Sequence, residues 1–106
     1  MRRYCAYILD DTAGMELASY LENRVIRFAV ERSLSVIGEI AAHLRNEHQE
    51  QFAQIDSLHL AIGVRNRLAH GYDDMISNES IWHTVKQSVP KLINDIDAYL
   101  KEESAG

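Results

Sequence analysis

The chain predicts an all-α fold, a compact antiparallel bundle of about four to five helices making a single domain over residues 1–106. Three observations predict it. Apolar residues recur at steps of three and four through long segments, the period of a helix that buries one face. A single proline, Pro90, leaves those segments nearly unbroken. No repeat, low-complexity tract or linker divides the chain.

A first helix is expected over residues 2–12, stopping near Gly14, with Tyr4, Tyr7 and Ile8 on one face. The second and longest is expected over residues 15–45. Its stripe is Ile26, Val30, Leu34, Ile37, Ala41 and Leu44, which must be buried against something. Gly38 lies inside that helix, at a cost of up to about 1 kcal/mol relative to alanine. Close approach of another helix would offset the cost. A third helix begins between residues 47 and 57, with Asp56 or Ser57 as its cap at the late end, and ends at His70. After a loop, a fourth helix is capped by Ser77 or Asn78 and runs to about residue 102. Ile81, Val85, Leu92, Ile96 and Tyr99 form its stripe, and Pro90 should bend it.

A chain of this length buries only roughly 65% of its unfolded surface, so self-association would add useful burial. No apolar run approaches the roughly 20 residues needed to span a membrane. Met1-Arg2-Arg3 is basic, but Asp10 and Asp11 follow and no signal peptide is expected. The lone Cys5 can form no internal disulfide, which fits a reducing cytoplasm. The formal net charge of −5 argues against nonspecific coating of nucleic acid. The cations are unevenly placed, however. All eight arginines lie between Arg2 and Arg67, and all three lysines lie in the last segment. Arginine donates in pairs from a planar fork and suits phosphate. An acidic protein with a local arginine cluster can bind phosphate at one site without binding it everywhere.

The chemistry concentrates in Arg65-Asn66-Arg67-Leu68-Ala69-His70-Gly71-Tyr72. Leu58, Ile62, Arg65 and Ala69 fall on one helical line, so Arg65 occupies a core-like position. A lone buried guanidinium is costly. Either it pairs with a carboxylate such as Glu31 or Glu39, or its line borders a polar cleft. His70 lies five residues on, about 140° around the helix. With Gly71 as the residue after the helix, His70 sits in the last turn, where the dipole favours the protonated imidazole. A histidine that titrates near neutrality can move a proton. Tyr72 offers a hydroxyl just beyond. The plain alternatives are a structural ion pair, a C-terminal capping histidine and a tyrosine that packs the loop. His43, His48, His59 and His83 lack the spacing of metal ligands, and no metal or cofactor is expected.

Arg65-x4-His70-x-Tyr72 resembles the Arg-x4-His-x-Tyr signature of the HEPN superfamily, specifically its HepT toxin branch. The stretch Ala29-Val30-Glu31-Arg32-Ser33-Leu34-Ser35-Val36-Ile37-Gly38-Glu39 resembles the long-helix segment of that branch, and Ile81-Trp82 and Val89-Pro90 are similar as well. The resemblance runs from about Leu21 onward, and the segment before it looks shorter than is usual. It implies a helical homodimer whose two motifs meet in a shared cleft, and a metal-independent endoribonuclease. Arg65 and His70 would be catalytic, with Asn66 and Arg67 positioning RNA; whether Glu31 and Glu39 support the site or only pair an arginine stays open. It also implies a nucleotidyltransferase antitoxin as partner, which attaches AMP to Tyr72. Two other readings of the same residues stay open: a nucleotide- or phosphate-binding helical module without catalysis, and a helical interaction protein in which the motif is structural.

Overall fold

The computed structural model describes residues 1–70 and 77–105, without the side chains of His70 and Ala105. The described residues are helical throughout, with no strand among them. The order is α1 (Arg2–Asp11), α2 (Leu17–Glu22), α3 (Arg24–Glu47), α4 (Gln49–Ala53), α5 (Leu58–His70), α6 (Asn78–His83), a wide π turn (Thr84–Ser88) and α7 (Val89–Ala105).

α1 ends where expected. The Thr12 hydroxyl donates back to the Ile8 carbonyl at 2.7 Å, and Gly14 takes the left-handed conformation at φ 73° that reverses the chain. Cys5 and Ile8 are fully buried, whereas Tyr7 stays half exposed. Burial pushes the Cys5 thiol up to about 11.

The expected second helix is in fact two. Its apolar pattern continues across residues 21–26, but Asn23 stands extended between α2 and α3 and caps α3, its side chain accepting from the Ile26 amide at 3.0 Å. The break lets α2 fold back and bury Tyr20 completely against Trp82, with ring centroids 5.0 Å apart. The connection from α3 to α5 likewise holds a helix of its own, α4, whose Phe52 packs edge-on against His59 at 4.6 Å.

α5 begins directly after Ser57, at the late end of the expected range. Ser57 does not cap it through its side chain. Its hydroxyl donates to the Asp95 carboxylate of α7, which also accepts from Lys91 at 2.8 Å. Those two bonds, Lys91 first, hold the Asp95 carboxyl below its usual range. Ser77 caps α6, accepting from the Ser80 amide at 3.1 Å. Where a bend is expected at Pro90, the structure has a π turn just ahead of it. The proline ring would crowd the carbonyl of Lys86, four residues back, and that carbonyl lies inside the wide turn. Ile81, Val85, Val89, Leu92 and Ile96 all remain buried across it.

The tightest packing joins α3 to α5. The short connection through α4 sends α5 back antiparallel along α3. Gly38 is the point of contact: a Cβ built there would overlap the Cβ of Arg65 and come within 2.8 Å of the Ala61 carbonyl oxygen and 2.9 Å of the Arg65 Cγ. That close approach is what offsets the glycine's conformational cost. Gly63 in α5 faces open space. The two glycines therefore answer alanine with opposite signs. Gly38→Ala should overpack the contact by about 1–3 kcal/mol and lower Tm by about 5–15 °C. Gly63→Ala should raise Tm by a few degrees, through up to about 1 kcal/mol of helix propensity. Thermal unfolding of both variants checks the pair.

Candidate active site

Arg65 owes its position to the glycine opposite. Its stem lies on Gly38, so the side chain is half-buried at the α3–α5 seam rather than splayed into solvent. On the same helical line Leu58 and Ile62 are buried, 0% and 5% exposed, and Ala69 is exposed. Arg65 thus stands where the line leaves the core. Its Nε is buried without a hydrogen-bond partner among the described residues. The ion pairs among those residues are Arg2–Asp97, Lys91–Asp95 and His83–Glu79. Neither Glu31 nor Glu39 closes a pair with Arg65, so of the two possibilities raised by its spacing, the ion pair is not made among the described residues.

Asn66 and Arg67 follow on the exposed side of α5. His70 is the last described residue of that helix. α5 is continuous from Arg65 to His70, so the two positions lie about 140° apart around the helix. The His70 side chain and Tyr72 lie outside the described residues, as does Gly71.

The two carboxylates differ. Glu39 is exposed on the outer face of α3. Glu31 is half-buried, and burial raises its carboxyl above the usual range, partly countered by the Arg27 guanidinium. Arg27 and Tyr20 complete this group. Arg27 lies one turn before Glu31 and is half-buried, with its Nε lacking a partner among the described residues. The Tyr20 hydroxyl is equally unpartnered in a residue with no exposed surface. Its titration is pushed up to about 12, by burial first and then by Glu31, with Arg27 opposing. The hydroxyl therefore remains a donor at any working pH.

The sequence reading passed over Arg27 and Tyr20. A signal for Arg27 was present: Arg27, Glu31, Leu34 and Gly38 form one line along α3, so the glycine that marks the contact face also marks the arginine on it. Tyr20 had no such signal, because its burial depends on the break at Asn23. Among the described residues no cluster of histidine, cysteine or carboxylate has the makings of a metal site, and no helix is long and apolar enough to cross a membrane.

The class the structure defines is an all-α protein with a half-buried guanidinium at a helix seam, without an ion-pair partner among the described residues. Comparison with known proteins narrows it: the chain belongs to the ribonuclease HepT-like family, whose pattern it matches over residues 1–99, α1 included. It is similar to a protein of Methanocaldococcus jannaschii named as an RNase, at 30% identity over 85% of this chain and 81% of that one. A protein of Caldanaerobacter subterraneus, also named as an RNase, is 26% identical over 93% and 87% of the two chains. One of Thermococcus cleftensis named as a ribonuclease HepT is 30% identical over 69% and 64%. No solved structure matches the chain.

The raised Glu31 carboxyl has a stability consequence. The folded chain holds the Glu31 proton to higher pH than the unfolded chain does. Its charged form therefore costs stability above the folded pKa, and the cost vanishes below the unfolded one. Glu31→Gln should stabilise the fold at pH 7 by under about 1 kcal/mol after solvent screening, and so raise Tm slightly. It should change nothing at pH below the ordinary carboxylate range. Melting curves at the two pH values check the sign.

Proposed function

We propose that the chain is a metal-independent endoribonuclease acting as a homodimer, the toxin of a toxin–antitoxin pair. A cognate nucleotidyltransferase antitoxin silences it by attaching AMP to Tyr72. The observation that carries the reading is the buried, unpartnered Nε of Arg65. An unpaired guanidinium at a helix seam costs stability, and an arriving anion repays it. Family membership and the RNase names of the relatives make a phosphodiester the anion of choice.

In this reading the ribose 2′-oxygen attacks the adjacent phosphorus, and His70 accepts the 2′-proton. Arg65 donates to the phosphoryl oxygens on which negative charge builds. The bond to the 5′-oxygen breaks, and that oxygen takes up a proton. The products are a 2′,3′-cyclic phosphate and a 5′-hydroxyl end. Asn66 and Arg67, exposed beside Arg65, hold the RNA. AMP on Tyr72, two residues from His70, would add bulk and negative charge beside the cleft and repel substrate.

The dimer is supported by three features of the single chain. The Arg65 and His70 positions lie about 140° apart around α5, and a two-fold axis can join the arginine of one protomer to the histidine of the other. The outer face of α3 exposes Val25 and Phe28, at 71% and 61%. The radius of gyration, 14.0 Å, exceeds the value of about 13 Å typical of a free-standing globule of this length.

Purified protein should cleave single-stranded RNA in excess EDTA and leave cyclic phosphate ends. Arg65→Met should reduce kcat at least about 100-fold while leaving Tm unchanged or higher, since it removes an unpaired buried charge. A sharp fall in Tm with no change in RNA cleavage would instead mark the motif as structural. Saturable nucleotide binding without any cleavage product would favour the binding module.

Mixing tests the shared cleft. In a heterodimer of Arg65→Met and His70→Ala protomers, one of the two composite sites is intact. Co-refolding the two inactive variants should restore about a quarter of wild-type activity. If each chain supplies its own pair, the mixture stays inactive.

A further inference from the structure

Gly63 carries the helix-propensity penalty of glycine without the close contact that accounts for Gly38. It stands in the middle of α5 and is exposed, and a Cβ built on it meets nothing within 4 Å among the described residues. Packing within the described chain therefore gives no reason for the missing side chain. Its neighbours along the helix do. His59, Gly63, Asn66 and His70 follow at steps of four, three and four, so the four positions form one row along the outer face of α5. Leu60 and Arg67 flank that row on one side. His59, Leu60, Gly63, Asn66 and Arg67 are all exposed. Arg65 lies on the other side of the helix, over Gly38.

The chemistry of the row points to its occupant. Residues 57–72 hold none of the 16 carboxylates of the chain, although the net charge is −5. Arg67 puts a fixed positive charge beside the row, and Asn66 adds an amide that both donates and accepts. At the far end the exposed His59 ring is held against the buried Phe52, with centroids 4.6 Å apart and the planes at 78°. A ring fixed in this way offers a nucleobase a surface to stack on. Between His59 and Asn66 the bare backbone at Gly63 leaves a low point in a helix surface otherwise raised by side chains. A second copy of the chain fits this face poorly. Two-fold symmetry would bring together two arginine-bearing helices with no carboxylate on either to balance them. A flexible polyanion that carries flat bases matches the cation, the low point and the ring together.

Resting on the ribonuclease reading, we propose that the outer face of α5 is the track for the RNA strand flanking the cut. The strand leaves His70, passes Asn66 and Arg67, lies against the bare backbone at Gly63 and stacks a base on His59. From His70 to His59 the track is about 16 Å long, eleven residues of helix, which accommodates a few nucleotides. Arg67 holds a phosphate through its fork. Gly63 acts by what it lacks: the sugar–phosphate chain comes down to the helix there, and a side chain would lift it away. The track lies on the His70 side of the shared cleft, and the guanidinium that meets the strand at the cut comes from the other protomer of the proposed dimer. His59 and Gly63 touch no reacting atom, so they serve affinity and register along the strand.

The test uses a single-stranded oligoribonucleotide methylated at every 2′-oxygen, which binds but cannot be cleaved, followed by fluorescence anisotropy across a salt series. Gly63→Ala and Gly63→Gln put better helix formers into open space, so both should melt at or above the parent's Tm. Binding should move the other way, about fivefold weaker for alanine and more than about tenfold weaker for glutamine. The slope of log Kd against log salt should stay unchanged in both. Arg67→Met should instead reduce that slope by about 0.7, one phosphate contact on a single strand. His59→Ala should weaken binding about tenfold, the scale of one stacked base, and His59→Phe should restore it. In cleavage, the wild type should favour a long RNA over a dinucleoside monophosphate, and Gly63→Gln should lose that preference. A Gly63→Gln protein with the parent's Tm and the parent's affinity overturns the proposal. So does one found monomeric by sedimentation at concentrations where the parent is a dimer, which assigns the face to a second copy. If the wild type binds the methylated strand with this dependence on Gly63 but cuts no RNA, the track stands and the catalytic reading fails. If it cuts RNA and Gly63→Gln keeps the parent's preference for the long substrate, the catalytic reading stands and the track fails.

Discussion

Everything at the site depends on how closely α3 and α5 approach. The contact has no room for a side chain on α3 at position 38, and glycine is the residue that supplies none. With the helices this close, the stem of Arg65 lies flat on the α3 backbone and its Nε loses contact with water. A wider seam would let water or a carboxylate reach the guanidinium, and the arginine would become an ordinary surface cation. The glycine thus has two effects. It joins the two helices of the seam, and it leaves a cation there with its hydrogen bonding incomplete. The chain tolerates that penalty because the same contact buries the apolar faces of α3 and α5, Leu34 and Ile37 on one side and Leu58 and Ile62 on the other.

The overall charge fits this arrangement. At −5 the chain repels a nucleic acid backbone at long range. Affinity must then come from a few short-range, desolvated contacts rather than from a diffuse basic field. A half-buried guanidinium suits this, because its interaction with phosphate is screened less by salt than that of an exposed lysine. The lysines accordingly stand elsewhere: Lys91 pairs with Asp95, and Lys86 lies over the Trp82 ring at 4.6 Å.

Much of the fold was legible in the sequence because helix period and capping are local. The stripes of α3 and of the α6–α7 segment, the stop at Gly14, the Ser77 cap and the irregularity near Pro90 could all be read from residues within a turn of one another. The errors arose where two local signals competed. Asn23 is a good capping residue, yet apolar residues on both sides keep the helical period, which hides the break. Ser57 is an equally good cap by type, and it was drawn away by Asp95, thirty-eight residues further on. The motif was legible as a spacing, and the family match bears out the resemblance. The packing beneath it was legible only in part. Gly38 announced a close helix but not which one. The group of Tyr20, Arg27 and Glu31 exists because α2 folds back at Asn23, so a reading that missed the break could not see it.

Orphaned donors also bear on the proposed assembly of this chain in pairs. A chain of this length has little stability to spare, about 5–15 kcal/mol for a typical domain. Two unpaired guanidinium nitrogens and a buried hydroxyl together draw on a sizeable part of it. Filling those positions with carboxylates would recover the loss and occupy the site. Burial at a second surface recovers it without touching the site, and the exposed apolar side chains of α3, Val25 and Phe28, lie on its solvent side, about 140° and about 80° around the helix from Gly38. One face of α3 can therefore bear the energetic cost of an open anion site while the other offsets it through a partner chain. On that argument the proposed dimerisation would be a condition for keeping the arginines unpaired, and a chain held monomeric would be expected to be less stable before it is less active.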